Sequence, residues 1–247
     1  MRTLVSAELL KLRTTRALAV TVPLLMVLSA GLPALAAAAE GSDGNAELVA
    51  SDLADLLAAP ARLTGGAVLL LGLLLTAGEF RHRTVLTTRL AEPRPLRTLV
   101  AKLLTMAIVG LLVGVMVEIT VGVGTAVVFA QQGIAFDPGS PGAARTALVV
   151  PVVVVLHGVA GVAVGALLRS TAGAVGATLV WAFVVEGVIP VVTRQPGLVD
   201  WLPTGLVQQV LAGGGGSPGP VVAAGLLLAY AGALAGSAAL LDRHREV

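Results

Sequence analysis

Six apolar stretches of membrane-spanning length follow one another along this chain, and its basic residues alternate with them. Thirteen of the sixteen Lys and Arg residues fall in the leader, in or beside the loops after the second and fourth stretches, and in the tail. The other three are Arg62, Arg145 and Arg194. Cytoplasmic loops of membrane proteins carry an excess of Lys and Arg. The alternation therefore predicts an all-α integral membrane protein with six transmembrane helices and both termini in the cytoplasm.

The composition supports a membrane location. Hydrophobic residues make up 56% of the 247 residues and charged residues only 12%, whereas soluble domains carry roughly 25% charged residues. The excess of Arg over Lys, with abundant Ala, Gly and Val, is typical of a GC-rich bacterial genome, so we expect a multi-pass protein of the bacterial plasma membrane. Residues 1–247 are predicted to form a single transmembrane domain. The predicted spans are residues 17–39, 63–78, 99–130, 146–168, 174–193 and 218–241.

The N-terminal segment, residues 1–16, is mixed apolar and basic. Val5, Leu9 and Leu12 repeat at helical spacing, which predicts a helix lying on the cytoplasmic leaflet. A basic leader, an apolar run and a small-residue stretch also describe a secretory signal peptide. The apolar run here is about 23 residues, and the core of a signal peptide is usually 7–15. Retention as the first span is therefore the favoured interpretation.

Motifs for catalysis, metal binding or nucleotide binding are missing from the sequence. There is no cysteine, and the Gly-rich run beginning at Gly213 lacks the Gly-Lys-Ser/Thr ending of a phosphate-binding loop. His82, His157 and His244 are far apart and form no His-Glu-x-x-His motif. The basic residues flank spans, which argues against nucleic-acid binding. We predict no catalytic residue, cofactor or metal in this chain, which is not expected to be an enzyme.

Two acids, Glu118 and Glu186, and one histidine, His157, fall within the predicted spans. A carboxylate at membrane depth is costly and marks either a function or a buried partner. We expect His157 to be a polar packing residue, and pairing inside the helix bundle is the favoured role of the two acids. The alternative is a self-contained secondary transporter or channel that uses Glu118 and Glu186 as ion or proton sites.

The loop over residues 79–98 is the most distinctive local feature. Arginines alternate with apolar residues there, which predicts a surface helix from Glu79 to Glu92, where Pro93 ends it. An ordinary positively charged loop is the simpler alternative. The last outside loop, residues 194–217, contains Trp201 and is apolar enough to lie in the outer interface of the membrane.

Several short motifs resemble one transporter family. An acidic residue, an aromatic and an arginine open the loop, with a threonine three residues on, and a Pro-Arg turn leads to an Ala-Lys-Leu start of the third span. The leader has a Glu-x-x-Lys helix, and an acid precedes a proline in the fifth span. The chain thus resembles permease subunits of bacterial ATP-binding-cassette exporters of the type-two class. The residues concerned are Glu8, Lys11, Glu79, Phe80, Arg81, Thr84, Pro93, Arg94, Ala101, Lys102, Leu103, Glu186 and Pro190.

The resemblance implies a partner-driven exporter. Two six-span permeases would pair, with a homodimer expected, and separate cytoplasmic ATPase subunits carrying ATP and Mg²⁺ would press on a coupling helix. The implied substrate is a drug, antibiotic, peptide or lipid-like molecule, and loop 194–217 would be a partly membrane-embedded hairpin. A membrane anchor without transport activity is a third, weaker alternative. The coupling-helix residues would be Glu79, Phe80, Arg81, Arg83, Thr84 and Arg89.

Overall fold

The computed structural model describes residues 1–14, 16–42, 53–133, 135–213 and 217–244, and within them the regular structure is entirely helical. A π-helix, Val180–Val185, joins the α-helices Thr171–Leu179 and Glu186–Thr193, and a 3₁₀ helix, Pro196–Trp201, precedes the α-helix Pro203–Ala212. The α-helices are α1 (Arg2–Thr14), α2 (Arg16–Ser42), α3 (Leu53–Ala58), α4 (Pro60–Arg81), α5 (Val85–Ala91), α6 (Pro95–Gln132), α7 (Pro141–Leu168), α8 (Thr171–Leu179), α9 (Glu186–Thr193), α10 (Pro203–Ala212) and α11 (Pro220–His244).

Five stretches of the described residues are long and apolar enough to cross a bilayer, which takes about 20 residues. They are Leu56–Arg81, Pro95–Gln131, Pro141–Leu168, Thr171–Thr193 and Pro220–Leu241. A sixth exists if α1 and residues 18–31 of α2, which meet at 72°, are counted as one bent span. The all-helical class is confirmed for the described residues, and their long apolar helices support a membrane protein. The sixth span and the cytoplasmic side of the termini stay predictions.

The spans differ in length from the sequence-based estimates for physical reasons. Proline, which lacks the N–H that a helix start leaves unpaired anyway, begins several helices earlier than the hydropathy suggests. Helix α6 has 38 residues, or about 57 Å at 1.5 Å per residue. It is therefore much longer than a hydrocarbon core of about 30 Å requires. The helices that begin with proline are α4, α6, α7, α10 and α11.

Helix α7 is the centre of the bundle and contacts α4, α6, α10 and α11. Small residues allow these close approaches: a side chain at Gly161 would collide with the Leu69 carbonyl, and one at Gly114 would lie 2.7 Å from Pro151 Cα. Gly161 and Gly114 therefore pack helices against each other within one subunit. At Gly232, in α11, a side chain would meet nothing within 4 Å.

The span formed by α8, the π-helix and α9 is peripheral. Only 6% of its most apolar 18-residue stretch is buried inside this chain. Phe183, Val191 and other large apolar residues of this span are exposed. Lipid or a second protein chain must therefore cover most of this span.

Candidate functional site

Four charged side chains form a closed ring where α1, α4 and α6 meet. Lys11 Nζ donates to Glu8 Oε1 and to Glu79 Oε1, each at 2.8 Å. Lys102 Nζ donates to Glu8 Oε2 at 3.0 Å and to Glu79 Oε1 at 2.7 Å. We call these four residues the four-charge ring. Two positive and two negative charges leave it with no formal net charge.

The ring is mostly withdrawn from solvent. The side chains of Lys102 and Glu8 are 4% and 5% exposed, that of Glu79 is 10% exposed, and only Lys11, at 43%, is substantially in contact with solvent. Glu8 and Lys11 lie three residues apart and share a face of α1. Glu79 belongs to the last turn of α4 and Lys102 to the third turn of α6. Removing one member would leave a buried charge uncompensated, which typically costs about 3–5 kcal/mol.

The predicted continuous helix from Glu79 to Glu92 is wrong. Helix α4 runs on to Arg81, and the chain then turns at Arg83, whose φ is +56°. The short helix α5, Val85–Ala91, follows the turn. Of the proposed coupling residues, Glu79, Phe80 and Arg81 therefore end the second span, Arg83 and Thr84 form the turn, and only Arg89 lies on the separate loop helix.

Helix α5 presents apolar side chains outward. Leu86 and Leu90, four residues apart on one face, are 63% and 86% exposed. No residue of α5 is buried. On its other side a cleft separates α5 from the start of α6 and reaches the ring at Lys102 and Glu79. The loop helix is thus attached next to the four-charge ring and exposes an apolar patch.

The turn between α7 and α8 joins the same end of the bundle. Arg169, which ends α7 in the left-handed conformation (φ +51°), holds its guanidinium carbon 5.3 Å from the centroid of the Phe80 ring. This is within the range of a cation–π interaction. The leader, the loop after the second span and the turn after the fourth, all predicted to share one side, therefore meet at one end of the described bundle.

Glu186 is hydrogen-bonded to the hairpin of residues 196–212, at the other end of the bundle from the four-charge ring. Its Oε2 accepts a hydrogen bond from the Thr204 backbone N–H at 3.0 Å, in the first turn of α10, and its Oε1 accepts one from Trp181 Nε1 at 2.7 Å. The π-turn lets these two residues meet at a spacing of five. A carboxylate suits the positive N-terminus of a helix, and Glu186 is 6% exposed. Both of its carboxylate oxygens are therefore occupied by hydrogen bonds inside the bundle.

The other end of α10 is held by Arg145, near the start of α7, which donates to the Val210 and Leu211 carbonyls. The hairpin of residues 196–212 runs along α11, because Tyr230 Oη donates to the Trp201 carbonyl at 3.4 Å. Tyr230 is ten residues into α11, or about 15 Å from its start. Leu206 and Leu211 are buried in protein contacts, and the position of this loop in the outer interface of the membrane stays a prediction.

Glu118 has a different environment. It is only 9% exposed, and its Oε2 has no hydrogen-bond partner. It lies 14 residues before Gln132, the end of α6, which corresponds to a depth of about 21 Å. His157 packs against Gly65, and its Nδ1 lies 2.8 Å from the Val153 carbonyl oxygen. The packing role predicted for His157 agrees with this geometry. The structure therefore brings Glu118 and Glu186 into no shared site and leaves one of them unpartnered.

Sequence reasoning missed the ring, although all four of its residues belong to the family-like motifs. The sequence placed Lys102 at the start of the third span and Glu79 in the loop helix, with no contact predicted between them. The sequence did contain a signal for this pair. Glu79 is an acid at the end of the second span, and Lys102 is a base at the start of the third. Among the described residues no group of side chains could hold a metal ion.

Comparison with known proteins adds no assignment. The chain matches no protein-family model and no curated protein sequence. The geometry of the described residues is therefore the basis for a functional proposal.

Proposed function

We propose that this chain is the membrane-spanning permease subunit of an ATP-driven exporter of the type-two ATP-binding-cassette class, in the bacterial plasma membrane. The observation that carries the proposal is the four-charge ring beside the exposed loop helix α5. A permease without an ATPase motif needs a surface that receives force and a rigid connection from that surface to its spans. Helix α5 and the ring have the properties of these two parts.

The exposed face of α5 suits a protein partner. Leu86 and Leu90 are the apolar centre of the patch, and the exposed residues Arg81 and Arg83 lie just before α5 in the chain. An apolar centre with an Arg-rich edge is typical of protein interfaces. The partner would be a cytoplasmic ATPase that holds ATP and Mg²⁺, and α5 takes the place of the longer coupling helix that the sequence predicted.

The ring would transmit movement of this loop. Glu79 and Lys102 flank the loop in sequence and bind each other across it, and Glu8 and Lys11 add α1 to the same unit. Displacement of α5 would therefore move the ends of the second and third spans and the leader helix together. A second permease copy, in a homodimer, would cover the exposed fifth span and complete the path for a drug, antibiotic, peptide or lipid-like substrate.

The test is capture of the ATPase by tagged protein from native membranes, with identification of the captured chains by mass spectrometry. We expect a phosphate-binding-loop ATPase with the wild type and its loss with Leu86→Glu/Leu90→Glu. Thr87→Glu, a charge added to an adjacent exposed position of α5, should retain it. Equal recovery of the ATPase with the double variant would contradict a docking role for α5.

A self-contained proton- or ion-coupled transporter is the second candidate, and one observation favours it: Glu118 Oε2 has no partner. Glu186 argues against it, because both of its oxygens are occupied by N–H donors. Transport driven by a proton gradient without ATP would support this candidate over the exporter subunit.

A further inference from the structure

The unpartnered carboxylate of Glu118 lies on one face of α6 together with a glycine and a second unpartnered polar group. Gly122 is one turn beyond Glu118, and Thr125 is two turns beyond it. Helical geometry places all three on the same face, with Glu118 and Thr125 about 10 Å apart along the axis. Thr125 is 1% exposed and its Oγ1 has no hydrogen-bond partner. We call these three residues the α6 notch.

The glycine leaves room between the two polar groups. Gly122 is half-buried, and a side chain at this position would meet no atom within 4 Å. Gly114, two turns earlier on α6, instead lies against Pro151 and is required for packing. Gly122 thus leaves space on the helix surface, with a carboxylate on one side and a hydroxyl on the other.

Among the described residues, no cation of this chain forms an ion pair with the Glu118 carboxylate. Lys102, which is buried, is bonded within the four-charge ring, and Arg145, which is half-buried, is bonded to the carbonyls at the end of α10. A buried carboxylate without a partner is costly at membrane depth. The charge it lacks can come from a bound molecule.

We propose that the α6 notch binds the cationic group of a lipophilic organic cation. This assignment rests on the proposed function, since it identifies the substrate class of the exporter. The carboxylate of Glu118 supplies charge selection, Gly122 leaves volume for an apolar substituent, and Thr125 can accept or donate one hydrogen bond. Apolar surroundings would favour a cation with bulky apolar groups over a small hydrated one.

The test is equilibrium binding to the purified full-length chain in detergent, without any ATPase. The probes are tetraphenylphosphonium and its anionic counterpart of similar shape, tetraphenylborate, each corrected for partition into protein-free micelles. We expect the wild type to bind the cation about tenfold more tightly than the anion, or better. Glu118→Gln and Gly122→Leu should each weaken cation binding by about tenfold or more. Val123→Leu, at an exposed position of the same helix, should leave it unchanged.

Equal affinity for the two probes, or unchanged cation binding in Glu118→Gln, would overturn the assignment. The proposed function is judged separately, by ATP-driven export in membrane vesicles. If ATP-driven export persists while the notch variants bind the cation normally, the notch assignment is contradicted and the proposed exporter function stands. If the protein shows the expected cation selectivity but no ATP-driven export, the notch assignment stands and the proposed exporter function is contradicted.

Discussion

Replacing Lys102 by Met is expected to destabilise the protein strongly, because it removes one positive charge from the four-charge ring. Glu8 and Glu79 would then share a single cation, Lys11, in a site where the acids are 5% and 10% exposed. Breaking a buried ion pair in this way costs about 3–5 kcal/mol. At roughly 2–4 °C per kcal/mol for a chain of this size, the midpoint of thermal unfolding should fall by about 6–20 °C.

A second substitution should recover much of this loss. Glu79→Gln combined with Lys102→Met leaves Glu8 and Lys11 as a neutral pair, so the double variant should be more stable than Lys102→Met alone. The coupling energy of the cycle should lie within about 0.5–3 kcal/mol, the range for contacting residues. The assay is thermal unfolding in detergent, in which the fraction of protein that remains monodisperse is measured after heating to each temperature.

The matched control is Arg97→Met. Arg97 lies 3.9 Å from Glu92, and its side chain is 53% exposed, so losing this surface pair should cost only about 0–1 kcal/mol. Equal midpoints for Lys102→Met and Arg97→Met, or additive effects in the double variant, would refute the claim that the ring is a buried and coupled unit.

Three further predictions concern the hairpin, the packing and the orientation. Glu186→Gln should destabilise the protein by about 1–3 kcal/mol, because the amide group would face one of two N–H donors; unchanged thermal stability would contradict this capping role. Gly161→Leu should cost about 1–3 kcal/mol or more through overpacking, whereas Gly232→Leu should be nearly neutral in the monomer, and comparable losses would refute the packing account. A single cysteine at Ser140 should react with an impermeant thiol reagent outside intact cells and one at Thr87 should not, and the reverse pattern would invert the topology.

The membrane class could be predicted from the sequence because it depends on local properties. An apolar stretch of about 20 residues is sufficient to indicate a span, and the unusual length of the third span is a local property as well. These features need no knowledge of which helix lies beside which, so the prediction and the structure agree on them.

The candidate sites could be predicted only in part, because they depend on contacts between distant segments. Lys102 meets Glu8 across 94 positions of sequence, and no helical periodicity indicates such a pair. The interruption of the predicted loop helix at Arg83 depends on a left-handed backbone conformation. Residues other than glycine rarely adopt this conformation, so the sequence does not indicate it. Trp181 reaches Glu186 through a π-turn, so the usual spacing of three or four residues would not identify this pair.

Glutamine is not an equivalent replacement for Glu186. The structure shows two N–H donors on the two carboxylate oxygens, and an amide can accept at only one of them. Glu118 has no such donors, so Gln is the milder change there for stability and the informative one for binding.

The most direct test of the proposed function is the energy source of transport in inside-out vesicles prepared from cells that express the chain with its native partners. The account predicts that ATP drives accumulation of a lipophilic cation such as tetraphenylphosphonium when the proton gradient has been collapsed, and that Leu86→Glu/Leu90→Glu abolishes this accumulation while the protein remains in the membrane. Accumulation driven by an imposed proton gradient in the absence of ATP, and unaffected by that double variant, would contradict it.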